Sequence, residues 1–262
     1  MFINERLLNL VSAKDLLIIH PHAQRTGGGT FRNHVLAKVF GRHEVYSRMF
    51  VRDAKDWRFL KQADLEGYRA YTDLTNYRDI GLTRPHVAVA LMRDPVYRAV
   101  SLYYFARRKL AHRNHDQAMS MGLEEFFQRV APLDSNYFIN VQCRRACGYS
   151  DSHLALKYLQ SKFIAVGFTN ELSRFAGALS EVFGWRPLDI HDEQNDAEKY
   201  ARDVTPSFRA LIRKQNAEDV ALFDAMANGP PYRIAPRFVG YEVRRAASTA
   251  IRRAHSLVCK SI

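Results

Sequence analysis

Short apolar runs, each followed by an amphipathic stretch, recur along this chain. Residues 15–20 carry Leu16, Leu17, Ile18 and Ile19 between polar neighbours, a pattern that predicts a buried strand. Gly27, Gly28, Gly29 and Thr30 then make a turn. Phe31, Val35, Leu36, Val39 and Phe40 follow at helical spacing, with Thr30 as the expected N-cap. Residues 86–92 predict a second strand, Arg93-Asp94-Pro95 ends it, and a helix is expected from Val96 through Val100, Tyr103 and Tyr104 towards Leu110. A third strand, 163–167, precedes a helix carrying Leu172, Phe175, Ala176, Leu179 and Phe183. Leu123, Phe126, Phe127 and Val130 mark a further helix. Pro206 opens a long one with Phe208, Leu211, Ile212, Leu222 and Phe223.

Strands alternating with helices imply an α/β fold of three layers, a central parallel sheet flanked by helices. The expected division is a main domain of residues 1–228 and a basic C-terminal extension, 229–262. The extension holds Arg233, Arg237, Arg244, Arg245, Arg252 and Arg253 with few acids. Such a segment suits peripheral contact with an anionic membrane surface, or a terminal helix against the body.

The 262 residues, 47% of them hydrophobic, are enough for one large globular domain with a full core. The formal charge of +12 changes the picture by calling for anionic partners. Three cysteines, Cys143, Cys147 and Cys259, make neither a disulfide framework nor a repeated metal-ligand spacing. Cys143 and Cys147 stand one helical turn apart and read as packed thiols, so a reducing compartment and no metal are expected. The run at 16–19 is too short to cross a bilayer. With no membrane anchor in view, a cytoplasmic and bacterial protein is expected.

Two segments carry candidate chemistry. In Gln24-Arg25-Thr26-Gly27-Gly28-Gly29-Thr30-Phe31, the glycines let the backbone approach a ligand and the helix start offers unpaired N–H groups. Thr26 and Thr30 add hydroxyls and Arg25 a fixed charge, which together suit a phosphate or phosphosulfate. The cation precedes the glycines, so a Walker-type kinase or ATPase loop is disfavoured. At the end of the second strand, Arg93 can present its fork of donors to a phosphate, and Ser101 lies two turns further on. In an open parallel sheet both segments point to one crevice, at the carboxyl ends of the strands.

Together these segments resemble the superfamily of sulfotransferases that use 3′-phosphoadenosine 5′-phosphosulfate (PAPS), and most of all the heparan sulfate O-sulfotransferases and their bacterial counterparts. Residues 22–31 are similar to the family's H-x-x-K-T-G-G-T-[ST]-F loop for the 5′-phosphosulfate. Residues 93–105 are similar to its R-D-P-x-x-R-x-x-S-x-[YW]-x-[FH] segment for the 3′-phosphate. Weaker likenesses lie at residues 140–144 (N-x-Q-x-R) and 165–172.

The resemblance implies a P-loop-like fold and in-line transfer of a sulfuryl group from PAPS to an acceptor hydroxyl, on a carbohydrate in the first instance. A tyrosine in an acidic peptide, or PAPS binding without catalysis, are the alternatives. A nucleic-acid binder finds no recognition signature. The resemblance places the donor on Arg25, Thr26, Gly27, Gly28, Gly29, Thr30, Phe31, Arg93 and Ser101, with Arg25 also steadying the departing phosphate. Arg25 stands where the family has lysine. The family's histidine base falls on Tyr68 or Arg69, neither a base at neutral pH. Glu66 is the expected replacement, Asp73 the runner-up, and His20 and His22 lie near the loop.

Overall fold

All five residues of strand β2 (Leu17–Pro21) are buried, and that burial on both faces sets the architecture. The structure, a computed structural model, describes residues 1–12, 15–55, 59–79, 82–188, 190 and 200–228. Among these, β2 joins β1 (Phe2–Ile3), β3 (Val45–Tyr46), β4 (Ala70–Asp73), β5 (His86–Met92) and β6 (Phe163–Phe168) in one sheet of order β1-β6-β5-β2-β4-β3. Four neighbouring pairs are parallel, with Ile18 opposite Ala70 and Pro21 opposite Asp73. The sheet is mixed rather than wholly parallel: β1 runs antiparallel to β6 at the edge, pairing Phe2 with Val166 and Ile3 with Ala165. Two residues are too few for a periodicity to announce such a strand.

Among the described residues the α-helices are α1 (Gly28–Thr30), α2 (Ala37–Phe40), α3 (Pro95–Arg108), α4 (His115–Ser120), α5 (Leu123–Arg129) and α6 (Ser135–Phe138), followed by α7 (Val141–Cys147), α8 (Ser152–Lys162), α9 (Leu172–Phe183), α10 (Pro206–Gln215) and α11 (Ala217–Ala227). Side chains alternate across the strands. Leu17 and Ile19 join Cys143, Cys147, Ala155, Leu159 and Leu222 in one cluster, so α7, α8 and α11 cover that face. His20 points the other way, against Phe31 at 4.8 Å between ring centroids, and Phe31 meets Phe175 of α9 at 5.9 Å. A second cluster joins α3, α4, α5, α6 and α10 through Val96, Tyr103, Ala118, Phe126, Phe127, Phe138 and Phe208.

Two helices depart from the pattern expected of them. The helix after the glycines starts at Gly28, with Gly27 rather than Thr30 as N-cap, and passes through a π-helical stretch, Phe31–Leu36, before α2. The long helix expected from Pro206 breaks at Asn216. There Asn216 leaves the helical region, at φ −113° and ψ 38°, and its Oδ1 accepts the Asn140 N–H at 2.9 Å. Pro206 itself sits in the first turn, as its missing N–H allows. None of the described helices is long and apolar enough to cross a membrane. The basic segment 229–262, with Cys259, lies outside the described residues.

Candidate functional site

Pro21 closes β2, and the six residues after it reverse the chain into α1. Two residues there take the left-handed conformation: Gly27 (φ 83°) and, without a glycine's freedom, Arg25 (φ 66°). For an L-residue that carries a Cβ that region costs about 1–2 kcal/mol, so the surroundings must hold Arg25 in place. They do so from three sides. The Arg25 carbonyl accepts a hydrogen bond from Nη1 of Arg93 at 3.2 Å, its Nε donates to Ser101 Oγ at 3.0 Å, and its guanidinium lies 4.9 Å from the centre of the Phe105 ring. The two segments singled out by their chemistry therefore meet at the carboxyl ends of β2 and β5.

The individual loop residues divide by role. Thr26 is sealed, and its hydroxyl donates to the Ala23 carbonyl at 2.9 Å, so it shapes the turn from inside. Phe31 is also sealed and anchors the helix start in the core. Gly27 packs against Thr169, whose hydroxyl in turn donates to the Met92 carbonyl at 3.1 Å. Gly28 has no room for a Cβ, which would stand 2.1 Å from the His22 ring. Above Gly29 there is open space, and Thr30 keeps part of its surface exposed. An anion meeting Gly29 and the first turn would find backbone N–H groups that have no intrahelical acceptor. The residues present thus fit a phosphosulfate, which backbone N–H groups, the Arg25 charge and the part-exposed Thr30 hydroxyl would hold.

Arg93 is placed by a residue on another element. The Gln142 carboxamide accepts the Arg93 N–H and donates to the Arg93 carbonyl, both at 2.9 Å, as a strand partner would. Gln142 belongs to the first turn of α7, and that turn is capped by Asp219 of α11. Sealed from solvent, the Asp219 carboxylate accepts from the backbone N–H of Gln142 at 3.0 Å and of Cys143 at 2.8 Å. Asn140, left-handed at φ 49°, accepts the Asp219 N–H at 3.2 Å. Asp94 caps α3 by accepting from the N–H groups of Val96 and Tyr97, which fixes the direction in which Ser101 leaves that helix. Asp219 and Asn216 escaped the sequence reading because their partners lie 76 and 77 residues away.

At the carboxyl end of β4 lies a second group of polar side chains. Asp73 accepts from Arg48 through Nε at 2.8 Å and Nη2 at 2.9 Å, and its Oδ1 also takes the Leu74 N–H at 2.7 Å. His22, part-exposed, stacks at 5.6 Å on His20, whose Nδ1 pairs with Thr72 Oγ1 at 2.9 Å. Burial, then Arg32 and Arg145, push the His22 pKa down to about 3, against a smaller opposing pull from Asp73. Burial likewise holds the sealed His20 well below the ordinary imidazole range. Arg145 of α7 donates to Asn76 Oδ1 at 2.9 Å, and burial followed by the nearby Arg144 lowers its pKa to about 10.

Glu66 is not brought to this cluster, and neither are Tyr68 and Arg69. All three precede β4, whereas the loop follows the end of β2 that pairs with the last residue of β4. The strand alone separates the two ends by roughly 10 Å at about 3.3 Å per residue. Exposed Glu66 stands instead at the end of a 3₁₀ turn, Gln62–Leu65, before the amino end of β4. Cys143 and Cys147 are both buried within α7, and burial raises the Cys143 thiol pKa above its usual range, as for packed, unreactive thiols.

No family model matches the chain. Among curated proteins it is similar to heparan sulfate 2-O-sulfotransferase 1 of Xenopus laevis, at 28% identity, in an alignment covering 78% of this chain and 67% of that protein. The similarity supports a family relationship with that enzyme's kind, and the six-stranded α/β fold is consistent with it.

Proposed function

We propose that this relative of the sulfotransferases transfers the sulfuryl group of PAPS to a hydroxyl of a carbohydrate acceptor. The observation that carries the reading is the joining of residues 25 and 101, and of 93 and 25, at the carboxyl ends of β2 and β5. A donor with phosphate groups at both its 3′ and 5′ positions needs two anion sites at a fixed separation. Arg93 and Ser101 supply the first. The first turn of α1, Thr30 and Arg25 supply the second.

In this reading Arg25 shares its charge between the sites. As the bond from sulfur to the 5′-phosphate oxygen breaks, negative charge gathers on that oxygen, and a guanidinium and fixed N–H groups already aimed there stabilise it without reorganising. Arg93 and Ser101 hold the nucleotide in register, a contribution of positioning. The acceptor enters from the β4 side, the flank of the loop opposite Arg93. There Arg32, Arg48 and Arg145 outnumber the carboxylate of Asp73.

Calorimetric titration with 3′,5′-adenosine bisphosphate, beside AMP, tests the donor site directly. Tight binding of the bisphosphate alone is expected, and Arg93→Ala should erase the preference. Equal weak binding of both nucleotides would overturn the reading.

A further inference from the structure

We propose that the imidazole of His22 is the catalytic base that takes the proton from the acceptor hydroxyl; this rests on the sulfuryl-transfer reading above. Four other groups compete for the role, and the geometry removes each in turn. Glu66 stands beyond the opposite end of β4. Both oxygens of Asp73 are occupied, by the Arg48 fork and the Leu74 N–H. His20 is sealed and its Nδ1 is held by Thr72. Tyr71 is sealed and its phenol pKa is pushed up by burial, so it stays protonated at neutral pH and cannot take a proton.

His22 alone combines exposure, reach and an uncommitted nitrogen. Its ring is bound to the site by stacking on His20 and by lying against Gly28, and among the described residues no hydrogen bond engages its nitrogens. That packing requires glycine at 28, since a Cβ there would stand 2.4 Å from Nε2. The ring therefore rests on the first turn of α1, beside the open space over Gly29, on the flank that faces β4.

The charges around the ring regulate it. His20 on β2, Arg25 in the loop, Arg32 in the π-helical stretch and Arg145 on α7 face it, with Asp73 as the acid among them. In the free protein burial first, and these cations after it, keep the imidazole neutral. An anionic donor in the loop offsets them and raises its basicity, so the base gains strength only when the donor is bound. In the step itself the acceptor O–H proton moves to an imidazole nitrogen as the acceptor oxygen bonds to sulfur. The bond from sulfur to the 5′-phosphate oxygen breaks, its electron pair leaves with 3′,5′-adenosine bisphosphate, and the imidazolium later returns the proton to water.

The test uses the full chain labelled with ¹³C-histidine, and His22→Gln identifies the resonance. An NMR titration with and without 3′,5′-adenosine bisphosphate should show the His22 pKa rising on binding. In parallel, transfer from ³⁵S-labelled PAPS to 2-O-desulfated heparan sulfate or to water should fall in His22→Gln by about 10²–10⁴-fold, the range for loss of a general base. The acid limb of the pH profile should vanish with it while the bisphosphate still binds. A His22 pKa unmoved by bound bisphosphate would overturn the assignment, as would an acid limb removed by Asp73→Asn and kept in His22→Gln. Failure of the wild-type protein to bind the bisphosphate at all would instead bring down the sulfuryl-transfer reading beneath it.

Discussion

Arg25 donates through Nε to Ser101 Oγ at 3.0 Å, across 76 residues of chain. The bond joins a left-handed loop residue to the second turn of α3. Arg25→Ala loses the charge, the loop's hold on α3 and the stack on Phe105 together. Its affinity for 3′,5′-adenosine bisphosphate should drop about 10–100-fold, the range for charge-assisted hydrogen bonds of about 1.5–3 kcal/mol. Ser101→Ala should cost less, since Arg93 remains. Arg25→Lys keeps the charge and loses the fork, so it should bind better than Arg25→Ala in the same titration.

Gly28→Ala tests the packing of His22. The new methyl would overlap the imidazole, so the ring must leave its place on α1. Overpacking of this kind costs typically about 1–3 kcal/mol, readable as a shift of the urea midpoint. Gly29→Ala, where a Cβ meets nothing within 4 Å, is the control and should leave stability almost unchanged. Equal stability of the two variants would show that the His22 ring does not occupy that position.

The central strands and the phosphate-cradling loop were legible in the sequence because each is written locally. Continuous apolar runs give β2, β5 and β6, and three glycines give the turn. The antiparallel edge β1 was not legible, since two residues hold no period. The break at Asn216 was hidden for a different reason: the bond that accompanies it goes to Asn140, far away in the chain. The base shows the same limit. The family pattern puts the base on Tyr68 or Arg69, with Glu66 as its replacement, but parallel register decides which end of β4 faces the loop, and register is a property of the sheet rather than of the segment.

Gln142 and Asp219 make a separable prediction about positioning. Asp219→Ala leaves the first-turn N–H groups of α7 buried without an acceptor, at a cost of about 1–3 kcal/mol for each such group. Asp219→Asn keeps one acceptor oxygen and should recover part of that stability. Gln142→Ala removes the bracket on Arg93 while leaving α7 capped, so its melting temperature should change little beside that of Asp219→Ala. Its loss should appear in bisphosphate affinity instead. A Gln142→Ala protein that binds normally would show that Arg93 is held by its strand alone.

Acid sensitivity follows from the two histidines at the end of β2. Both are neutral in the fold and held below the ordinary imidazole value of 6.5, His22 at about 3. The unfolded chain binds protons at these sites near pH 6.5 while the folded one does not. Their contribution to stability is therefore whole above about pH 6.5 and declines as pH falls from there towards 3. Each histidine adds a slope of at most about 1.4 kcal/mol per pH unit, with His22 below that limit because part of its ring meets solvent. Urea denaturation at several pH values should show stability falling between pH 6.5 and 4. His22→Gln should flatten that slope, since a carboxamide has no proton to gain. A slope unchanged in this variant would mean that the imidazole titrates in the fold much as it does in water.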